Sequence, residues 1–208
     1  MIQQLTQSRH EPFLEALAKP EPIPGGGAAA AYGAAVGLAL LEKIVRLELQ
    51  RRPMTSDLRS LWAGLLEQVC TLARALYRLR DEDGKAYMRF AEARASGMED
   101  QYISAALDQA VDSPLRIMKT ASEGMDCVSQ AGKHCRHHLL SDLLVVCELL
   151  RAAVCGAYRI TQANLSLMAD ASRKSHYQRK SNGLLERWGD SFQQVEGSIL
   201  ARTGAAGK

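Results

Sequence analysis

TSDLRSLWAGLLEQVCTLARALYRLRDEDGKAYMRFAEARA, residues 55–95, decides the fold. Its apolar residues Leu58, Leu61, Trp62, Leu65, Leu66, Val69, Leu72, Leu76 and Leu79 recur at spacings of three and four, the period of one helix face. Thr55-Ser56-Asp57 provides N-cap chemistry, the seam continues through Tyr87 and Phe90, and Ser96-Gly97 follows, so one helix is predicted to about Ala95. A helix that long cannot bury its stripe alone. It needs partners of similar length, and an all-α antiparallel bundle is the expected architecture.

The flanking sequence supplies those partners. A short helix is expected from His10 to Ala18, stopped by Pro20, Pro22 and Pro24 in the loop PEPIPGGG (20–27). Ala28 to Arg51 reads as a helix ending before Pro53, with Gly33 and Gly37 one turn apart among alanines. So small a face lets another helix backbone approach closely, inside the bundle or across a homodimer interface. Further helices are predicted from Asp100 to Val128 with a kink at Pro114, from Ser141-Asp142 onward, and from Ser172 to Leu200 with a break near Asn182-Gly183; TGAAGK (203–208) is expected to be a flexible tail.

The 208 residues, 47% hydrophobic and 24% charged, suit one domain over 1–208 and exclude a disordered or collagen-like chain. Five cysteines with no Cys-x-x-Cys pair argue against a disulfide scaffold and read as reduced core residues. No stretch of about 18 uncharged apolar residues occurs, and the first residues lack a secretory pattern, so no membrane partner and a cytoplasmic location are expected. The net charge of +3 permits an anionic ligand without demanding nucleic acid, and RKSHYQRK (173–180) reads as a solvated face.

Asp83 is the most informative polar residue. Val69, Leu72, Leu76, Arg80, Asp83, Tyr87 and Phe90 keep to one helical face, so a carboxylate at 83 points into the bundle, where burial raises its pKa and suits it to acid/base work. An internal ion pair with Arg80 or Arg78 is the structural alternative, and Asp81 is expected to pair with Lys85. Gly25, Gly26 and Gly27 precede a helix, where they would expose backbone N–H groups to a ligand or simply make a tight turn. Asn164 lies on an apolar stripe and needs partners for its amide; Asp142 is a site candidate or a helix cap. His134, His137 and His138, beside Cys135, have a spacing that could put them on one helical face as metal ligands, yet no clear fourth partner is visible and no metal is expected there.

Together these segments resemble the cyclodeaminase/cyclohydrolase family, which includes the C-terminal domain of formiminotransferase-cyclodeaminase and stand-alone methenyltetrahydrofolate cyclohydrolase. FLEALAKPEPIPGGGAAAAYGAAVGLALLEKIV (13–45) resembles the family's opening helix, glycine turn and alanine-rich helix, and DEDGKAY (81–87) its Asp-x-Asp segment. ALDQAVDSPL (106–115) is similar to its kinked Pro-Leu helix, and SDLLVVCELLRAAVCGAYRITQANLSLMAD (141–170) to its Ser-Asp helix. The resemblance implies an all-α homodimer acting on a tetrahydrofolate derivative, with no cofactor beyond the tetrahydrofolate that carries the substrate carbon. It implies hydrolysis of 5,10-methenyltetrahydrofolate to 10-formyltetrahydrofolate or cyclodeamination of 5-formiminotetrahydrofolate, the lack of a fused formiminotransferase domain favouring hydrolysis. It places the catalytic role on Asp83 and substrate binding on Gly25, Gly26, Gly27, Asp142 and Asn164. The chain departs from the family pattern at Ala28, Gly84 and Ile160, where the family has serine, alanine and asparagine, and in the histidine-rich stretch that replaces Gly-Asn before Ser141. These departures make a catalytically silent folate-binding or assembly subunit the alternative.

Overall fold

A computed structural model describes residues 12–205, so the start of the first predicted helix and residues 206–208 lie outside it. Six α-helices follow in order: α1 (Pro12–Leu17), α2 (Gly26–Leu49), α3 (Ser56–Ala95), α4 (Asp100–His134), α5 (Leu140–Ser166) and α6 (Ala171–Ala205), and the described residues contain no strand. The connections 50–55, 96–99, 135–139 and 167–170 are short, so successive long helices turn back on one another and form an antiparallel bundle. α2 packs on α3 and α5, α3 on α4, α4 on α5, and α6 closes the outside against α4 and α5.

Local chemistry sets the ends. Thr55 Oγ1 accepts from Leu58 N–H at 3.3 Å to start α3, and Asp170 Oδ1 accepts from the N–H groups of Ser172 and Arg173 at 2.9 and 3.0 Å to start α6. α3 ends before Gly97, whose φ of 61° is the left-handed conformation that glycine adopts without steric cost. Along the seam Trp62, Leu65, Val69, Leu76, Leu79 and Phe90 are buried and Leu58, Leu61, Leu66 and Leu72 partly so, whereas Tyr87 is 43% exposed.

Several boundaries differ from expectation. α4 runs unbroken through Pro114 to His134, and α6 runs through Asn182-Gly183 and takes in Thr203, Gly204 and Ala205 of the expected tail. Its Asn182 side chain is held in place by Tyr158 Oη and Gln178 Nε2. A single 3₁₀ turn at His137–Leu139 leads into α5, so Ser141 and Asp142 lie in its first turn and neither caps it through a side chain. The basic run 173–180 is only partly solvated, because Arg173 pairs with Asp108 and Lys180 with Asp112 on α4. Asp81 pairs with Arg80 at 2.8 Å rather than with Lys85. Cys127, Cys135 and Cys147 are core residues, whereas Cys155 is exposed.

α2 is long and apolar enough to cross a membrane by composition, yet half of its most apolar window is buried, the position of a central bundle helix. Its two small-residue positions part company. A Cβ on Gly37 would stand 3.2 Å from Leu149 Cβ of α5, whereas one on Gly33 would meet nothing within 4 Å. Gly37→Leu is therefore expected to destabilise the protein by about 1–3 kcal/mol through overpacking. Gly33→Leu should leave the packing within one chain intact, so burial of this face inside the bundle holds at Gly37 and not at Gly33. Thermal melting of the two variants side by side checks the contrast.

The histidine-rich turn is fastened by charges the sequence pattern does not reveal. Glu48, fully buried at the end of α2, accepts from the Arg136 backbone N–H at 2.9 Å and from its Nε at 3.0 Å. Arg202 of α6 donates to the carbonyls of Gly132 and Cys135.

Candidate functional site

At one end of the bundle the loop before α2, the middle of α3 and the last turns of α5 enclose a cleft of about 350 Å³. Its wall includes Ile23, Gly25, Gly26, Gly27, Asp83, Gly84, Tyr87, Ala110, Ile160, Ala163 and Asn164. Roomier hollows exist elsewhere on the surface, and in one of them charges pair off, Glu82 with Arg116 at 2.8 Å and Asp112 with Lys180 at 3.3 Å.

Asp83 is the centre of this cleft. Only 8% of it is exposed, and burial pushes its carboxyl above the usual carboxylate range, partly offset by the Ser113 hydroxyl and the Ala28 backbone N–H. Among the described residues no cation offsets the burial. Arg80 turns its guanidinium to Asp81 and over the rings of Phe13 and Tyr77, so the internal ion pair considered for Asp83 is not formed. The carboxyl instead faces the first turn of α2, whose N-cap, Gly25, carries no side-chain acceptor. A helix start with unpaired N–H groups favours a negative group beside it.

The three glycines play separate parts. A Cβ on Gly27 would lie 2.2 Å from Asp83 Oδ2 and 2.5 Å from its Cγ, so Gly27 is the space in which the carboxyl sits. A Cβ on Gly26 would stand 2.9 Å from Ile160 Cδ1, while one on Gly25 would meet nothing nearer than the Pro22 carbonyl at 3.7 Å. The glycine turn thus receives one acidic and one aliphatic side chain of this chain, rather than only a ligand. Gly84 leaves room for Ile23, whose Cγ2 would lie 3.2 Å from an added Cβ.

Asn164 closes the far wall, with its Nδ2 donating to the Ala110 carbonyl at 2.7 Å. Asp142 is placed elsewhere. It pairs with Lys43 at 3.8 Å, sixteen residues along α2 from Gly27, which is about 24 Å at the rise of an α-helix. Of the sequence candidates, then, Asp83, Gly25, Gly26, Gly27 and Asn164 come together and Asp142 does not. His134, His137 and His138 are exposed and Cys135 is buried, and among the described residues no group of three or more His, Cys, Asp or Glu side chains could hold a metal ion.

Sequence reasoning missed Ser113, Ala110 and Tyr87 as parts of the site. Tyr87 had a signal, since it lies four residues after Asp83 on the same face; Ser113 and Ala110 had none, because α4 reaches the site only through packing. Ser113 is 4% exposed and its Oγ makes no hydrogen bond of ordinary geometry, yet it stands near enough to favour the charged form of Asp83. Ser113→Ala is therefore expected to move the Asp83 pKa further upward. Carboxyl-carbon NMR titration reads it directly, and an unchanged or lower value would rule out this influence.

The sequence profile for formiminotransferase-cyclodeaminase matches residues 9–183. The chain belongs to this family. Formimidoyltransferase-cyclodeaminase of Mus musculus is 28% identical over 204 residues, covering 91% of this chain and 36% of the mouse protein. The Dictyostelium discoideum protein of the same name is 28% identical over 186 residues, covering 88% of this chain and 34% of its own length. The chain thus spans about a third of the curated relatives it matches. The fold matches the crystal structure of formiminotetrahydrofolate cyclodeaminase from Thermotoga maritima with a TM-score of 0.83 at 17% identity, over 98% of this chain and all of that one. Membership of the family agrees with the resemblance carried by the glycine turn, the DEDGKAY segment and the Ser-Asp helix.

Proposed function

We propose that the cleft binds the ring system of a tetrahydrofolate derivative and that Asp83 moves the proton in a reaction at the carbon between N5 and N10. The observation that carries this reading is the buried Asp83 carboxyl, placed against the glycine turn with no neutralising cation among the described residues. A carboxyl raised by burial keeps a protonated fraction to higher pH, which gives it use as an acid as well as a base. In cyclodeamination of 5-formiminotetrahydrofolate, N10 attacks the formimino carbon and the departing nitrogen takes up a proton as it leaves as ammonia. In hydrolysis of 5,10-methenyltetrahydrofolate, water adds to the same carbon, loses a proton, and the bond to N5 breaks to give 10-formyltetrahydrofolate. Both pass through a tetrahedral carbon between the two nitrogens, and one carboxyl serves either. The relatives' names support the first reaction. The test is to supply each compound to the purified protein and follow the methenyl absorbance, which rises in the first reaction and decays in the second.

Ile160 supports a second reading. Its side chain packs over Gly26 where the resemblance implies an asparagine, so one wall of the cleft offers apolar surface in place of an amide. A folate-binding subunit without turnover has this character, and it is distinguished by ligand binding with neither absorbance change.

We also propose a homodimer through the outer face of α2 and α5. Val36 and Val145 are 42% and 50% exposed there, and Gly33 faces open space. Light scattering on the parent and on Gly33→Leu checks it, the expected result being a dimer that the substitution weakens.

A further inference from the structure

Pro114 lies inside α4 without ending it. Proline has no backbone N–H, so the carbonyl four residues earlier, that of Ala110, loses its intrahelical donor. Ala110 is 3% exposed, and a carbonyl left unpaired at such a place is costly. The missing donor comes from another helix: Asn164 Nδ2 of α5 reaches the Ala110 oxygen at 2.7 Å. This contact dictates which way round the amide lies, because its oxygen turned toward the carbonyl would set two acceptors against each other. Ala110 and Asn164 both line the cleft beside Asp83. Asn164 Oδ1 makes no hydrogen bond to a described residue.

We propose that Pro114 is a positioning residue of the site: by depriving Ala110 of its helical donor it holds the Asn164 amide with nitrogen toward α4, leaving the oxygen as an acceptor for an N–H or O–H group of the ligand. Pro114 itself does not line the cleft. Its effect is transmitted through one carbonyl. The donor-bearing ligand rests on the folate reading, since a pterin ring carries N–H groups, but the coupling between Pro114 and Asn164 stands without it.

The experiment compares the full chain with Pro114→Ala, Asn164→Ala and the double variant. Alanine in place of Pro114 restores an N–H to the Ala110 carbonyl. Asn164→Ala is expected to lower the melting temperature by about 5 °C more in the parent background than in the Pro114→Ala background, where the helix itself satisfies the carbonyl. The void left by the shortened side chain is common to both backgrounds and cancels; Asn164→Leu, which fills the space without a donor, goes through the same cycle in case the alanine variant does not fold. Equal losses in both backgrounds would overturn the proposal. The Asn164 side-chain N–H protons should exchange slowly with solvent in the parent and rapidly in Pro114→Ala, and slow exchange in both would also overturn it. With 5-formiminotetrahydrofolate or methenyltetrahydrofolate as the probe, whichever the parent turns over, Pro114→Ala should raise KM about tenfold and leave kcat within about twofold, as for a lost ground-state contact. A KM raised by Asn164→Ala but unmoved by Pro114→Ala counts against positioning. If the parent neither acts on nor binds either folate compound, the folate reading fails, and melting and exchange still decide the coupling.

Discussion

Asp83→Asn is expected to reduce turnover by about a hundredfold or more, the scale of a lost general acid or base, while raising stability at neutral pH. The second half follows from linkage. Burial raises the folded-state pKa of Asp83, so the folded protein holds the proton more tightly than the unfolded chain, and the ionised carboxyl costs stability wherever the pH lies above that value. Asparagine keeps the shape and an acceptor for the first turn of α2 but carries no charge, and it removes this cost. Its advantage in melting temperature should be full above the folded pKa of Asp83 and shrink as the pH falls through it toward the ordinary carboxylate range. A structural ion pair would give the opposite pattern, a loss of stability from the stranded cation. Turnover and melting measured on one preparation at several pH values decide between them, and a variant with the parent rate would take Asp83 out of the mechanism.

Gly27→Ala is the second large effect. The new Cβ would occupy the space of the carboxyl, 2.2 Å from Oδ2 and 2.6 Å from Oδ1. An aspartate can relieve that clash by rotating, at the expense of its alignment with anything bound in the cleft. Turnover should fall about a hundredfold, as for a small misplacement of a reacting group, with a stability loss of about 1–3 kcal/mol from overpacking. Gly25→Ala is the control, because its Cβ has room and its φ of −114° suits any residue. If the two alanine variants were equally active, the glycine turn would not be the seat of the carboxyl.

These effects were legible to different degrees. The inward direction of Asp83 could be read from helical spacing alone, since Asp83 falls in step with Val69, Leu72 and Leu76. That Arg80 does not pair with it could not be read, because Arg80 lies on nearly the same face and only the folded arrangement sends it to Asp81 and Phe13. The glycines announced a tight turn, yet their unequal roles depend on which side chain of another helix arrives opposite each Cα. Asp142 shows the converse, a residue whose motif points to the site and whose place in α5 takes it to the other end of α2.

The sequence by itself determined the helical class, the start of α3 and the burial of its seam, because capping, helical period and amphipathicity are written in residues only a few positions apart. Tertiary structure alone decided that Gly27 would make room for Asp83, that Ser113 would stand beside it, and that the carbonyl orphaned by Pro114 would be met by Asn164. Each of these joins residues on different helices, 30 to 56 positions apart in the chain. Such meetings depend on the rotation and offset of whole helices, which are set by the packing of the entire core and leave no local trace in the sequence.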